Sequence, residues 1–389
     1  MDLTINPNKL SGTVTAIPSK SQAHRYLICA AFADNETTLI CPETNRDIEA
    51  TADCLNALGA SIVRTRDGYH IDPIRKVPER AILNCCESGS TLRFMLPIVG
   101  ALGVDAVFQM EGRLPQRPLS PLWEEMERMG CSLSRPTAAT LRCSGKLRPG
   151  SYSIDGSVSS QYITGLLFAL SLIQGENPLE ITGKTESKPY IELTKAAMAL
   201  FDAPRYRSPG HIEVEGDWSN GAFFLAANEL DSELSIRGLE RTSVQGDRAI
   251  LANLKRMDTG CPVIDVSDIP DLVPIMAVVA AAKHGAIFTN IRRLRLKESD
   301  RVATVMEMIE NLGGKAEASD DSLAIHGTGL VGGTVDSHND HRIAMAAAIA
   351  ATVCKEPVTI LGAEAVNKSY PKFWDEYRRL GGNYEQHIR

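Results

Sequence analysis

At 389 residues the chain is longer than one ordinary hydrophobic core organises, so two domains are expected. Hydrophobic residues at 43% and charged residues at 23% are the proportions of a soluble globular protein. A formal net charge of −7 argues against a broad nucleic-acid surface and confines any anion site to a local concentration of cations. In chain order, a first strand is predicted over 2–16 and assigned to the later half, because a crossing occurs near Val214-Glu215-Gly216-Asp217. A polar turn at 18–25 then opens an apolar helix over 26–33. An amphipathic helix with a Leu58-Gly59 stop follows, and then a hairpin turning at Asp67-Gly68.

This pair of helices recurs along the chain. Polar turns at 87–93, 156–161, 216–221, 267–271 and 337–342 each precede an apolar stretch. Amphipathic segments at 126–131, 197–202, 254–260, 309–315 and 377–382 alternate with them. Six buried helices alternating with six amphipathic ones, with strands between, predict a repeated α/β architecture in two equivalent domains. Helix N-termini present unpaired N–H groups and a positive dipole end, so each turn is a natural anion site. Together, with Lys and Arg among them, they suit phosphates and carboxylates.

Individual turns read less sharply. Leu294 to Arg301 follows a strand-like run at 286–291 and is read as opening a helix that runs to Leu312. Lys297, Glu298 and Arg301 then share one turn, and a carboxylate among cations near a cleft is a reasonable proton donor or acceptor. A solvated helix start with local ion pairs is the ordinary alternative. Ahead of the apolar stretch at 343–353, His341 is read as a capping or buried hydrogen-bonding residue, and Arg342 as facing outward to an anion. Asp271 at a first helical turn serves the dipole unless a site recruits it. Ser159, Ser160 and Gln161 suit phosphate oxygens, mirrored by Ser19-Lys20-Ser21, although a helix-start serine is most commonly only a cap. The loop at 112–118 is rigid and basic, the kind that carries function.

Several classes are excluded. Pro178 stands where a P-loop ending in Gly183-Lys184-Thr185 needs glycine, and no Gly-x-Gly-x-x-Gly follows a strand. Nine scattered cysteines without a Cys-x-x-Cys spacing predict reduced thiols, a cytoplasmic location and no zinc site. No charged leader precedes an apolar core at the start, so no signal peptide is expected, and the longest apolar stretches, 273–282 and 343–353, are too short to span a bilayer.

Nine segments in collinear order resemble the enolpyruvyl transferase family, in its branch acting on shikimate 3-phosphate. They are Ser19-Lys20-Ser21 with Arg25, residues 89–93, Arg117-Pro118, residues 156–161, Ser187-Lys188-Pro189-Tyr190, Ile269-Pro270-Asp271, residues 297–301, residues 339–342, and Lys368-Ser369-Tyr370-Pro371. The resemblance implies two inside-out α/β domains, each of three βαβαββ units, with a ligand cleft between them. On this reading 1–17 plus 218–389 form the lower domain and 18–217 the upper. The implied reaction moves the enolpyruvyl group of phosphoenolpyruvate to the 5-hydroxyl of shikimate 3-phosphate and releases phosphate. A monomer without metal or organic cofactor is implied, with these two small molecules as its partners.

The resemblance also implies roles. Ser21 and Arg25 hold the shikimate side, Arg25 on its carboxylate, and Ser159, Ser160 and Ser187 take its phosphate. Arg117, Arg301, Arg342 and Lys368 surround phosphoenolpyruvate, with Gln161, which reaches both substrates, and Gly89 alongside. Lys20 and Lys297 touch both substrates or the charge developing between them. Asp271 accepts the 5-hydroxyl proton and Glu298 protonates the methylene. Glu87 stands where the family often has Asn, and Arg293 aligns with an Asn near the shikimate ring, so Arg293 receives no role. Gly89 leaves space for phosphonate inhibitors such as glyphosate, with Glu87 expected to modify that sensitivity. The sister branch acting on UDP-N-acetylglucosamine generally carries a reactive cysteine in the loop at 111–118, and this loop has none. A non-catalytic anion-binding repeat protein would need neither Asp271 nor Glu298. RNA-phosphate cyclase, a more distant architectural relative, is disfavoured by the acidic balance.

Overall fold

A computed structural model describes residues 1–387 of the chain. Contacts divide it into two compact units, one spanning Pro18–Glu215 and the other joining Met1–Ile17 to the chain from Gly216 onward. The first holds helices α1 (Lys20–Ala31), α2 (Arg46–Ala57), α3 (Gly89–Leu102), α4 (Leu122–Arg128), α5 (Ser160–Ser171) and α6 (Lys188–Leu200). The second holds α7 (Trp218–Glu229), α8 (Ile250–Thr259), α9 (Val273–Ala282), α10 (Arg301–Asn311), α11 (His341–Ala350) and α12 (Phe373–Arg379).

The alternation predicted from sequence is present. Helix α9 is all Val, Ile, Met, Ala and Pro, and every residue from Val273 to Ala281 is buried. A helix with no polar face must be covered on all sides. Helices α7, α9 and α11 accordingly pack on one another at the centre of their unit, as α3 and α5 do in theirs. Helices such as α2, α8 and α10 bury one face and leave the other polar.

Four sheets share one plan: a parallel pair extended by two antiparallel strands. Arg80–Asn84, Asp105–Gln109, Thr140–Gly145 and Cys131–Ser134 form one, and Val263–Asp265, Ala286–Thr289, Ser322–His326 and Lys315–Ala318 another. In the other two a distant segment completes the plan. His211–Glu213 joins Thr37–Ile40, and Asp2–Asn6 sits between Val358–Leu361 and Asn383–His387. One copy in each unit stops at the parallel pair, Tyr152–Asp155 with Leu179–Thr182 and Ser11–Thr15 with Glu233–Arg237. The single early strand predicted over 2–16 is therefore two strands in different sheets, because Gly12 and its neighbours pair with 233–237 and leave 2–6 to pair elsewhere.

Candidate active site

In the unit containing the chain's beginning and end, four backbone segments deliver charge to one place. Asp271 lies in the turn Pro270–Leu272 that precedes α9, and its carboxylate gathers three cations. Arg301 Nη1 approaches Oδ1 at 2.6 Å and Lys297 Nζ approaches the same oxygen at 3.1 Å. Arg342 Nη2 approaches Oδ2 at 3.3 Å, while its Nη1 donates to the Asp271 backbone oxygen at 3.3 Å. Arg301 is shared further: Nη2 meets Glu298 Oε2 at 2.7 Å and Nε meets Asp340 Oδ2 at 2.8 Å. Asp340 is the N-cap of α11, accepting the Arg342 N–H at 2.9 Å, so one carboxylate both starts that helix and anchors Arg301. Lys368 donates to the Asn339 backbone oxygen at 2.8 Å.

Burial sharpens the electrostatics. The side chain of Arg301 is 1% exposed and those of Asp271 and Glu298 are 16% and 26% exposed, so the acids face outward over a sunken guanidinium. Burial works to raise the Asp271 pKa, but Arg342, Lys297 and Arg301 outweigh it and hold the carboxyl well below its usual range. Burial also lowers the Lys297 pKa, against the pull of Asp271. Asp247, buried on the neighbouring turn and bonded to Ser219, is pushed up to about 6 by burial and by the Asp271 charge.

In the unit spanning Pro18–Glu215 three apolar helices start from serine caps. Ser19, Ser88 and Ser159 cap α1, α3 and α5, accepting N–H groups of Gln22, Thr91 and Gln161. Lys20 Nζ pairs with Asp47 Oδ2 at 2.8 Å. Gln161 joins two helices, with Oε1 accepting from Arg93 Nη1 at 2.8 Å and Nε2 donating to Ser90 Oγ at 2.9 Å. A β-carbon added to Gly89 would lie 2.5 Å from Arg117 Nη1 and 2.8 Å from Arg93 Nη1, so both guanidiniums close on that glycine. One at Gly112 would collide with the Glu87 carboxylate, which lies against the basic loop. Ser187 starts α6 from a left-handed conformation, φ 54°.

A model of the EPSP synthase (3-phosphoshikimate 1-carboxyvinyltransferase) family matches residues 5–377. The chain belongs to the EPSP synthase family. It is an enzyme of the shikimate route, the enolpyruvyl transfer of that family in aromatic amino-acid biosynthesis. A protein of Clostridium kluyveri named 3-phosphoshikimate 1-carboxyvinyltransferase is 38% identical, over 99% of this chain and 98% of that one. One of the same name from Clostridium acetobutylicum is 37% identical, over 98% of each. A solved EPSP synthase from Acinetobacter baumannii shares the fold, with a TM-score of 0.80 over 100% of both chains at 21% identity.

For a chain of this family, the site residues expected from sequence fall into local groups. Asp271, Lys297, Glu298, Arg301 and Arg342 form one bonded cluster, with Lys368 on the Asn339 carbonyl beside it. Gly89, Arg117 and Gln161 gather around Arg93, and Ser159 and Ser160 start α5 beside Gln161. Lys20 stands with Asp47. Arg25 is only 2% exposed, and its guanidinium is occupied by Thr194 Oγ1, Thr164 Oγ1 and the backbone oxygens of Ser21 and Tyr190. Burial lowers its pKa to about 10.

Two local readings need correction. Lys297 and Glu298 do not share a helical turn with Arg301: Asp300 accepts the Val302 and Ala303 N–H groups, so α10 begins only at Arg301. Arg342 does not face outward but is 5% exposed and turned onto Asp271. Sequence reading gave no role to Asp340 or Arg93, although both lie in the segments quoted, and did not single out Asp47 or Asp247. Arg93 had a legible signal, since a cation one turn inside an otherwise apolar buried helix requires a polar partner. Among the described residues, no group of three or more His, Cys, Asp or Glu is arranged to hold a metal ion.

Proposed function

We propose that this chain performs its transfer with Asp271 and Glu298 as the proton-handling pair, and with the surrounding cations as the receptors for its two anionic substrates. The observation carrying this reading is that one buried guanidinium, Arg301, bonds both carboxylates at once, at 2.6 and 2.7 Å. Asp271 is ionised at neutral pH, as a proton acceptor must be. Two of the three cations that hold it low, Arg301 and Arg342, are among those assigned to phosphoenolpyruvate, and the third, Lys297, is assigned to the charge developing between the substrates. A bound phosphate and carboxylate compete with Asp271 for those donors. Substrate binding therefore releases Asp271 from its counter-charges and raises its basicity where the 5-hydroxyl arrives.

The steps balance. Asp271 takes the 5-hydroxyl proton of shikimate 3-phosphate as the oxygen bonds to C2 of phosphoenolpyruvate. Glu298, having taken up a proton from solvent as the substrate anions draw Arg301 away from it, delivers that proton to the methylene carbon, giving a methyl group and a tetrahedral intermediate. Glu298, now a carboxylate, takes a proton back from the methyl, and the double bond reforms. Phosphate leaves with the proton that Asp271 had taken from the 5-hydroxyl, so both carboxyl groups return to their starting states. Lys297 and Lys20 balance the charge that develops, while Ser21, Arg25, Ser159, Ser160, Gln161, Ser187 and Lys20 hold shikimate 3-phosphate. Positioned acid–base groups contribute about 10²–10⁴-fold each, and fixed orientation of two anions supplies more. A monomer in the cytoplasm belongs to the same reading; the nine cysteines, all free thiols, support the compartment.

The decisive experiment measures phosphate release from phosphoenolpyruvate with shikimate 3-phosphate or UDP-N-acetylglucosamine offered in parallel. Release with shikimate 3-phosphate alone is expected. Release with the nucleotide sugar alone would overturn the substrate assignment.

A further inference from the structure

Beneath the cationic turns of Pro18–Glu215 runs a line of buried polar groups that none of the roles above uses. His24 Nδ1 lies 2.7 Å from Thr51 Oγ1. Thr51 Oγ1 lies 2.7 Å from Thr91 Oγ1, and Thr91 Oγ1 lies 2.8 Å from Ser88 Oγ. The residues sit on α1, α2 and α3 in turn, and the line ends at the N-cap of α3, next to Gly89. None of the four is more than 1% exposed. Valine would fill the space of either threonine, so packing alone does not call for hydroxyls there.

Counting protons gives the line a direction. Ser88 Oγ accepts the Thr91 backbone N–H at 3.2 Å and the Thr91 hydroxyl at 2.8 Å. The alternative acceptors for that hydroxyl are the Asp47 backbone oxygen, poorer at 3.4 Å, and Thr51 Oγ1 at 2.7 Å. Donation to Thr51 would run the line the other way and put a proton on His24 Nε2, which is buried and meets no partner. With its single proton committed to Ser88, Thr91 accepts from Thr51, and Thr51 in turn accepts from His24 Nδ1–H. His24 is then a neutral imidazole protonated on Nδ1. Its surroundings agree. Burial, then Lys20 and Arg25 from its own helix, hold its pKa well below the usual value. The Phe94 ring of α3 packs edge-on, 6.2 Å between centroids, and Asp47 of α2 is paired with Lys20.

We propose that this proton-ordered chain is a positioning device for the reaction, locking α1, α2 and α3 in one register so that Lys20 and the Gly89 turn are set together. Asp47 closes the arrangement, holding Lys20 through its carboxylate while its backbone oxygen lies beside Thr91. His24, Thr51 and Thr91 are positioning residues that touch no substrate. The functional half of this inference rests on the reading proposed above, and the proton order does not.

The test compares Thr51→Val with Thr51→Ser in steady-state turnover, alongside nitrogen-15 spectra of histidine-labelled protein. Thr51→Val should lower kcat/KM for phosphoenolpyruvate about tenfold, since a small misplacement of binding groups is costly to rate. Thr51→Ser, which keeps the hydroxyl, should stay within about twofold of the parent. Should Thr51→Val not fold, His24→Phe removes the far end of the chain with the same expected loss, and it also assigns the His24 resonance. The parent protein should show His24 neutral and protonated on Nδ1 from pH 6 to 8. Turnover unchanged in Thr51→Val, whatever its melting temperature, or lost equally in Thr51→Ser, would overturn the positioning role. An Nε2–H tautomer or a charged ring would overturn the proton order. No phosphate release by the parent with shikimate 3-phosphate would defeat the functional reading and the positioning role with it, leaving the spectra to decide the proton order.

Discussion

Arg301 sits 2.6 Å from Asp271, so the carboxylate assigned as base is held by a buried guanidinium before any substrate arrives. Two further cations reach the same carboxylate, and Glu298 shares the guanidinium. This is a charge-balanced, waiting arrangement: strong attraction for anions is stored without leaving buried charge uncompensated.

Asp271→Asn should cut kcat by about 10²–10⁴-fold, because the amide keeps the shape but accepts no proton. Binding of shikimate 3-phosphate, followed by calorimetry, should change little. A variant with near-parental turnover would remove Asp271 from its role.

Glu298→Gln should produce a comparable loss of kcat. Its side chain is a quarter exposed, so melting temperature should move by only a degree or two. Hydrogen exchange into the methylene of phosphoenolpyruvate, read by mass spectrometry, should be lost along with turnover.

Asp340→Ala removes the fully buried partner of Arg301 and the cap of α11 together. Leaving a buried guanidinium short of a counter-charge costs about 3–5 kcal/mol. Urea unfolding should show that loss, and turnover should fall because Arg301 no longer fixes both acids.

Gly89→Ala tests the crowding at α3. The atoms nearest the new methyl are the ends of two arginine side chains, so the fold should survive with little change in melting temperature. Arg117 and Arg93 must shift, and the KM for phosphoenolpyruvate should rise about tenfold while affinity for shikimate 3-phosphate holds.

Asp247 gives a pH prediction whose sign is fixed. Its pKa in the fold, about 6, is above the ordinary 3.8, so the folded protein holds a proton that the unfolded chain has lost. Stability from this group therefore falls as pH rises from about 4 to 6, and the penalty is complete above that. The difference between about 6 and 3.8 corresponds to a few kcal/mol at most. Asp247→Asn should melt higher than the parent at pH 8, with the difference shrinking toward pH 4.5.

Reading the sequence went furthest where interactions are local. The alternation of all-apolar and amphipathic helices was legible because a helix displays its burial in its own periodicity. The starts of α1, α3 and α5 were legible because a serine cap bonds N–H groups two or three residues on. The reading faltered at α10 for a related reason: Asp300 is a cap three residues past Lys297, and the helix was started too early.

By itself, the sequence determined the repeated α/β plan, the cationic turns and the family. Each depends on spacing along the chain, and spacing is written there directly. Only the tertiary structure decided which charges neutralise which. Asp271 meets Arg301 and Arg342 from 30 and 71 residues away, and Arg301 meets Asp340 from 39. Whether Arg342 turned to solvent or to Asp271, and how many of the five Arg25 N–H groups were engaged by Thr164, Thr194 and two carbonyls, depended on side chains brought together by packing. Coulomb energy varies with distance in space and with local burial, and a sequence records neither.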